Sequence, residues 1–180
     1  MNLQANHAAA PYVLSDATRT RFDKEVAKYP ADQKVSAVMA CLAIVQQEQG
    51  WVSATSEKAV GDYLNMPEIA VKEVTTFYNM YNQQPVGKYK FNVCTNLPCQ
   101  LREGQNALDY LCSKLGVELG GTTRDGLFTV QQSECLGACA DSPVMLVNDR
   151  SMCSFMSNDK LDQLIDGLKN AAANVNTSAQ

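Results

Sequence analysis

Lys88-Tyr89-Lys90-Phe91-Asn92-Val93-Cys94-Thr95-Asn96-Leu97-Pro98-Cys99 is the stretch that decides the fold. Tyr89, Phe91 and Val93 alternate with Lys88, Lys90 and Asn92. This period of two marks a strand with one apolar face. The strand runs straight into Cys94, and Cys99 follows after four residues. Cys135 and Cys139 form a second pair, separated by three residues and lying thirty-five residues beyond the first pair. Two loops, each carrying two soft sulfur donors, make a four-thiolate cage suited to zinc or an iron–sulfur cluster.

Outward from this stretch, the two halves of the chain differ in period. From Ser15 to about Tyr81 the pattern is helical. Ser15 is placed to cap a first helix running to Lys28, and Pro30 breaks it. Asp32 is placed to cap a second helix, in which Val35, Val38, Met39, Leu42 and Val45 form one stripe and which Gly50 ends. A third helix carries Ala59, Val60, Tyr63 and Leu64. Pro67 opens a fourth, with Ala70, Val74, Phe77, Tyr78 and Tyr81 on one face expected to pack in the core. Helices joined by such short links pack as antiparallel neighbours. Gln83 to Gly87 reads as a link between domains.

After the link and the first strand, Leu108, Leu111, Cys112 and Leu115 mark a helix. Gly120-Gly121 and Asp125-Gly126 are turns. Leu127 to Gln132 and Val144 to Val147 read as strands. Ser157 or Asp159 caps a last helix with Leu161, Leu164, Ile165 and Leu168 on one face. The order is four helices, then strand, helix, two or three strands, helix. This places the chain in the α+β class, with a C-terminal α/β layer, a helix on either face, compatible with a thioredoxin-like arrangement. The division is a loose tail 1–14, a helical bundle 15–84, the α/β domain 85–173, and a small polar tail 174–180 expected to be disordered.

Composition bounds the function. The chain has 180 residues, 46% hydrophobic and 19% charged, with a net charge of −4. That balance supports a buried core and lacks the basic excess of a nucleic-acid binder. No Lys or Arg precedes Arg19, so neither a secretory signal nor an Arg-rich transit peptide is read at the start. Val35 to Val45 is too short to span a bilayer, so no direct membrane insertion is expected. These features predict a bacterial cytoplasmic protein, or an organellar one already processed. Seven cysteines is an odd number, which argues against an extracellular disulfide framework. His7, the one histidine, excludes a site built on several His ligands.

In the cysteine loops, Pro98 restricts the backbone before Cys99. Gly137 permits the positive φ that curling around a metal centre needs, and it lets N–H groups approach sulfur. The backbones around Gly137 and Thr95 are the expected donors. Cys41 and Cys112 fall on or beside apolar stripes and read as small buried hydrophobes; Cys153 has no clear setting. A thiol–disulfide enzyme normally shows C-x-x-C, which is absent. Spacing alone leaves structural zinc and a 2Fe–2S cluster both open.

Val93-Cys94-Thr95-Asn96-Leu97-Pro98-Cys99 and Glu134-Cys135-Leu136-Gly137-Ala138-Cys139 resemble the two cluster loops of the small 2Fe–2S subunit in the NADH-oxidising module of respiratory complex I. Tyr29-Pro30, Ser36-Ala37-Val38-Met39, Gln49-Gly50-Trp51-Val52, Thr76-Phe77-Tyr78 and Pro85-Val86-Gly87-Lys88-Tyr89 are similar to stretches typical of that family and occur in the expected order. The resemblance covers roughly residues 20–170. It implies an N-terminal helical bundle followed by a thioredoxin-like ferredoxin domain, and one 2Fe–2S cluster held by Cys94, Cys99, Cys135 and Cys139. It also implies a partner subunit that carries FMN and binds NADH, further peripheral-arm subunits, and a location peripheral to the inner membrane through the complex. This chain lacks a G-x-G-x-x-G loop of its own. No side chain is expected to act as acid, base or nucleophile, and the chain alone is not expected to turn over substrate. The same module occurs in soluble NAD-linked hydrogenases and formate dehydrogenases, and a zinc-stabilised adaptor is the non-redox alternative. Trp51, Phe77, Tyr78 or Tyr81 is expected to meet the flavin subunit. The sequence departs from the family pattern at Ser142, where Ala is common before the proline, at Cys41, and at Met152-Cys153.

Overall fold

Ser15 begins the helical half as its sequence dictates: its Oγ accepts the Thr18 N–H at 3.1 Å, and the chain enters α1 (Asp16–Val26). The computed structural model describes residues 11–177. The chain divides after Pro85 into two compact units, Met1–Pro85 and Val86–Gln180. His7 lies outside the described residues.

In the first unit, α1 is followed by a 3-10 helix (Ala31–Ala37), α2 (Val38–Gln49), α3 (Ala54–Leu64) and α4 (Glu68–Phe77). Phe22, Cys41, Leu42, Val45, Val60, Leu64 and Val71 are buried together, and the Phe22 ring meets Tyr63 edge-on at 5.1 Å. A reciprocal cap opens α3: Ser53 Oγ accepts from Ser56 N, and Ser56 Oγ accepts from Ser53 N.

Several sequence expectations shift here. The first helix stops at Val26 rather than Lys28. The segment after Pro30 winds as a 3-10 helix with no side-chain cap, so Asp32 caps nothing and Val35 stays exposed. The expected aromatic stripe of the fourth helix breaks apart, because α4 ends at Phe77. Val71 and Thr75 face the core, Phe77 and Tyr78 are exposed, and Tyr81 is buried beyond the helix with its hydroxyl on Met39 O at 2.9 Å. Tyr12 and Leu14 are not loose. Leu14 joins the core, and Tyr12 hydrogen-bonds Glu48 at 3.1 Å.

The second unit is built on a four-stranded sheet in the order β2-β1-β3-β4, from β1 (Tyr89–Cys94), β2 (Phe128–Ser133), β3 (Met145–Val147) and β4 (Ser151–Cys153). β1 and β2 are parallel, and the other neighbours are antiparallel. The register pairs Phe91 with Val130 and with Val147, so Phe91, Val93, Phe128, Val130, Met145 and Val147 share one face. Both α6 (Gly104–Leu115) and α7 (Asn158–Thr177) pack on that face through Ala107, Leu108, Leu111, Leu161 and Ile165. They also meet each other, where Tyr110 and Lys114 both reach Asp162, at 2.8 and 3.0 Å. The expectation of a helix on either face is therefore corrected to two helices on one face. The opposite face is polar: Lys90, 2% exposed, pairs with Asp149 at 2.7 Å, and Asn92 donates to the same carboxylate. Ser157 caps α7, accepting the Lys160 N–H at 3.4 Å. The helix runs through Thr177, past the expected disordered start at Asn174, and residues 178–180 lie outside the described part.

Candidate metal centre

β1 and β2 run parallel with Cys94 opposite Ser133, so both cysteine loops leave the sheet at the same end. Cys94 is the last residue of β1. Cys99 sits in a single helical turn, α5 (Leu97–Gln100), which periodicity could not announce in so short a segment. Cys135 follows β2 by two residues, and Cys139 opens a short 3-10 turn (Cys139–Asp141). The loops are tied together. Thr95 N donates to Ser133 O (3.2 Å), Cys94 N to Val144 O (3.1 Å), Gln132 Nε2 to Thr95 Oγ1 (2.6 Å), Asn96 Nδ2 to Glu134 Oε2 (3.0 Å), and Arg102 Nη1 to Ala140 O (3.3 Å). Gly104 closes the first loop from behind. A Cβ there would lie 2.8 Å from Cys99 O and 2.9 Å from Cys94 O, so only glycine lets α6 start against the loop. Nothing in the sequence pattern singles it out.

The sulfurs fall into two pairs. Cys94 and Cys99 are about 1% exposed and form a small apolar cluster with Val144, against which Leu136 and Ala138 pack. Cys135 and Cys139 are exposed, and their sulfurs lie 3.7 Å apart. Two sulfurs bound to one tetrahedral metal at about 2.3 Å are held about 3.8 Å apart, so this pair already has the spacing of ligands to one metal atom. Among the described residues, no three His, Cys, Asp or Glu side chains are arranged around one ion. The candidate donors are two pairs of cysteines, one from each loop. A binuclear centre, with two irons and four thiolates in all, calls for that division.

Burial pushes the Cys94 thiol up, against the Asn96 and Leu136 N–H groups that bond its sulfur. Burial also acts on Cys99, but hydrogen bonds from Ser142, Cys94 and the Val144 N–H outweigh it and hold this thiol below its ordinary value. The bond to Cys135 raises the Cys139 thiol, with burial and the charges of Cys135 and Cys99 adding to it. Gly137 takes φ +77° and donates its N–H to Cys135 Sγ at 3.4 Å. Thr95, by contrast, spends its N–H on Ser133 O; the donors on that side are Asn96 and Leu136. Of the remaining cysteines, Cys41 is fully buried, whereas Cys112 and Cys153 are half-buried beside the sheet core.

These features define a class of protein that presents four cysteines, two per loop, from one end of a small α+β unit. The chain belongs to the family described as Thioredoxin-like [2Fe-2S] ferredoxin, whose profile matches residues 22–169. An NADH-quinone oxidoreductase subunit of Rickettsia conorii is 39% identical over 162 residues, covering 85% of this chain and 96% of the relative. An NADH-quinone oxidoreductase subunit of Thermus thermophilus is 37% identical over 147 residues, covering 82% of this chain and 81% of the relative. Among solved structures, an NAD+-reducing [NiFe]-hydrogenase in the H2-reduced state superposes with a TM-score of 0.61 at 19% identity, covering 72% of this chain and 22% of that one. That likeness is one of fold. No helix among the described residues is long and apolar enough to cross a membrane.

Proposed function

We propose that Cys94, Cys99, Cys135 and Cys139 hold one 2Fe–2S cluster and that the chain is the small electron-transfer subunit of the NADH dehydrogenase module of an NADH:quinone oxidoreductase. The observation that carries this reading is the division of four thiolates into two pairs at one end of the parallel β1–β2 ladder, one pair already at 3.7 Å. When bound, such a cluster accepts and returns one electron at a time. The chain's own part is to hold the four sulfurs, shield Cys94 and Cys99 from water, and place backbone N–H groups on sulfur, where they offset negative charge. As the family resemblance implies, FMN and NADH are carried by a partner subunit, and the chain alone does not turn over NADH. The location is cytoplasmic, peripheral to the inner membrane through the other subunits of the peripheral arm. The two relatives favour complex I over a soluble hydrogenase or formate dehydrogenase module: their identity is 37–39% across most of the chain, against a fold-level likeness at 19%.

The test is spectroscopic. The purified, anaerobically reconstituted chain is expected to show visible sulfur-to-iron absorption and, after reduction, an electron paramagnetic resonance signal of a 2Fe–2S cluster. Cys94→Ala and Cys139→Ala are each expected to abolish both. Zinc without iron or acid-labile sulfide, or spectra unchanged by the substitutions, would overturn the reading.

A further inference from the structure

Ser142 stands where its hydroxyl meets the first cysteine pair. Its Oγ lies 3.3 Å from Cys99 Sγ and 2.7 Å from Cys139 O. Ser142 is 2% exposed and Cys99 1% exposed, so the contact between them is buried. Besides the contacts of sulfur with sulfur within each pair, the sulfurs meet backbone N–H groups, of Asn96 and Leu136 at Cys94, Val144 at Cys99 and Gly137 at Cys135. Ser142 supplies the side-chain hydroxyl.

We propose that Ser142 is a positioning residue that raises the reduction potential of the cluster through a hydrogen bond from its hydroxyl to the Cys99 sulfur; this rests on the cluster reading above. A hydroxyl has one proton and here two acceptors, the Cys139 carbonyl and the Cys99 sulfur. With Cys99 as a thiol, the Ser142 hydroxyl has the Cys139 carbonyl to donate to at 2.7 Å, and the S–H is available as a donor across the 3.3 Å contact. Once Cys99 is a metal-bound thiolate, that proton is gone, and only the Ser142 hydroxyl is left to supply one. Hydrogen bonds to an ionised acceptor are the stronger kind, which draws the hydroxyl toward sulfur. Adding one electron increases the negative charge on sulfur, so the bond tightens in the reduced state and favours it. Alanine at this position leaves Cys99 with the Val144 N–H as its backbone donor.

The experiment is a redox titration of the full chain carrying its cluster, with electrons from a low-potential chemical reductant and the reduced signal followed by electron paramagnetic resonance. Ser142→Ala is expected to lower the equilibrium constant for one-electron reduction about three- to tenfold, the worth of one hydrogen bond. Tenfold corresponds to a fall of about 59 mV. Ser142→Thr, which keeps the hydroxyl, is expected to return toward the wild-type value. Ser142→Cys, a weaker donor of similar bulk, should fall between and serves if the alanine variant fails to hold the cluster. In D2O, pulsed resonance should detect one exchangeable deuteron coupled to the cluster in the wild type and the threonine variant that is missing from the alanine variant. A potential that stays put in Ser142→Ala, or in Ser142→Cys if only that variant loads, overturns the proposal, as does a rise. Such a result leaves the cluster reading intact, whereas a wild-type chain without visible absorption would remove that reading first.

Discussion

At Gly137 the backbone adopts φ +77°, and an added Cβ there would meet nothing within 4 Å. The glycine is needed for its torsion angle and not for room. Gly137→Ala should therefore cost about 1–2 kcal/mol, the strain of an L-residue in the left-handed region, and loosen the N–H bond to Cys135. Chemical denaturation checks the first effect, and faster loss of visible absorption to a chelator checks the second. Lys90 gives the opposite case, a charge where the strand pattern promises only a polar face. Its side chain is buried against Asp149. Asp149→Ala leaves a buried ammonium without its carboxylate and should destabilise the fold by about 3 kcal/mol. Lys90→Met removes charge and desolvation together and should cost less. Urea midpoints of the two variants in parallel test the order. That the two cysteine loops leave one end of the sheet was legible, because spacing and flanking strands announce them. Gly104 was not, since its role lies in two carbonyls that only the folded loop brings near.

Among the elements, the helical ones of the first unit bury acids in their neutral form. Burial, aided by the charge of Glu25, pushes the Cys41 thiol up to about 12, and burial raises the Tyr81 hydroxyl to about 12 as well. In the unfolded chain these groups lose protons at about 9 and 10. Between those values and 12 the unfolded state has given up protons that the folded state still holds, so stability is full below about pH 9 and declines as pH rises toward 12. A circular-dichroism titration should show that decline, and Cys41→Ala should lessen it. Helix starts were readable where a side chain does the capping, as at Ser15 and Ser157. They were misread at Asp32, where the chain after Pro30 tightens into a 3-10 turn that needs no cap. The end of α4 was misread for another reason. Phe77, Tyr78 and Tyr81 keep helical spacing, but the helix stops at Phe77, so periodicity continued a face that the backbone had abandoned. The one-turn α5 and the three-residue β4 are too short for any period to register.

On the scale of the whole molecule, the exposed aromatics are candidates for assembly. Phe77 is 80% exposed, and its ring packs edge-on against Tyr78 at 5.0 Å. Tyr81 is buried, which removes it from the proposed docking aromatics, and Trp51 is half-buried. Phe77→Ala should leave stability within about 0.5 kcal/mol, as surface changes do. If Phe77 and Tyr78 anchor the flavin subunit, the same change should weaken assembly by about 2 kcal/mol or more, measured by titration of the two purified subunits. The α+β architecture was legible from the change of period near residue 86, whereas the stacking of both helices on one face was not, because strand alternation states which side is apolar without saying how many helices cover it. The parallel pairing of β1 and β2 has one more outcome, for biosynthesis. Parallel neighbours need a long crossover, so the ribosome delivers Cys94 and Cys99 well before Cys135 and Cys139 emerge. On the proposed ligand set, a four-thiolate cluster can then be completed only after the later loop has been translated.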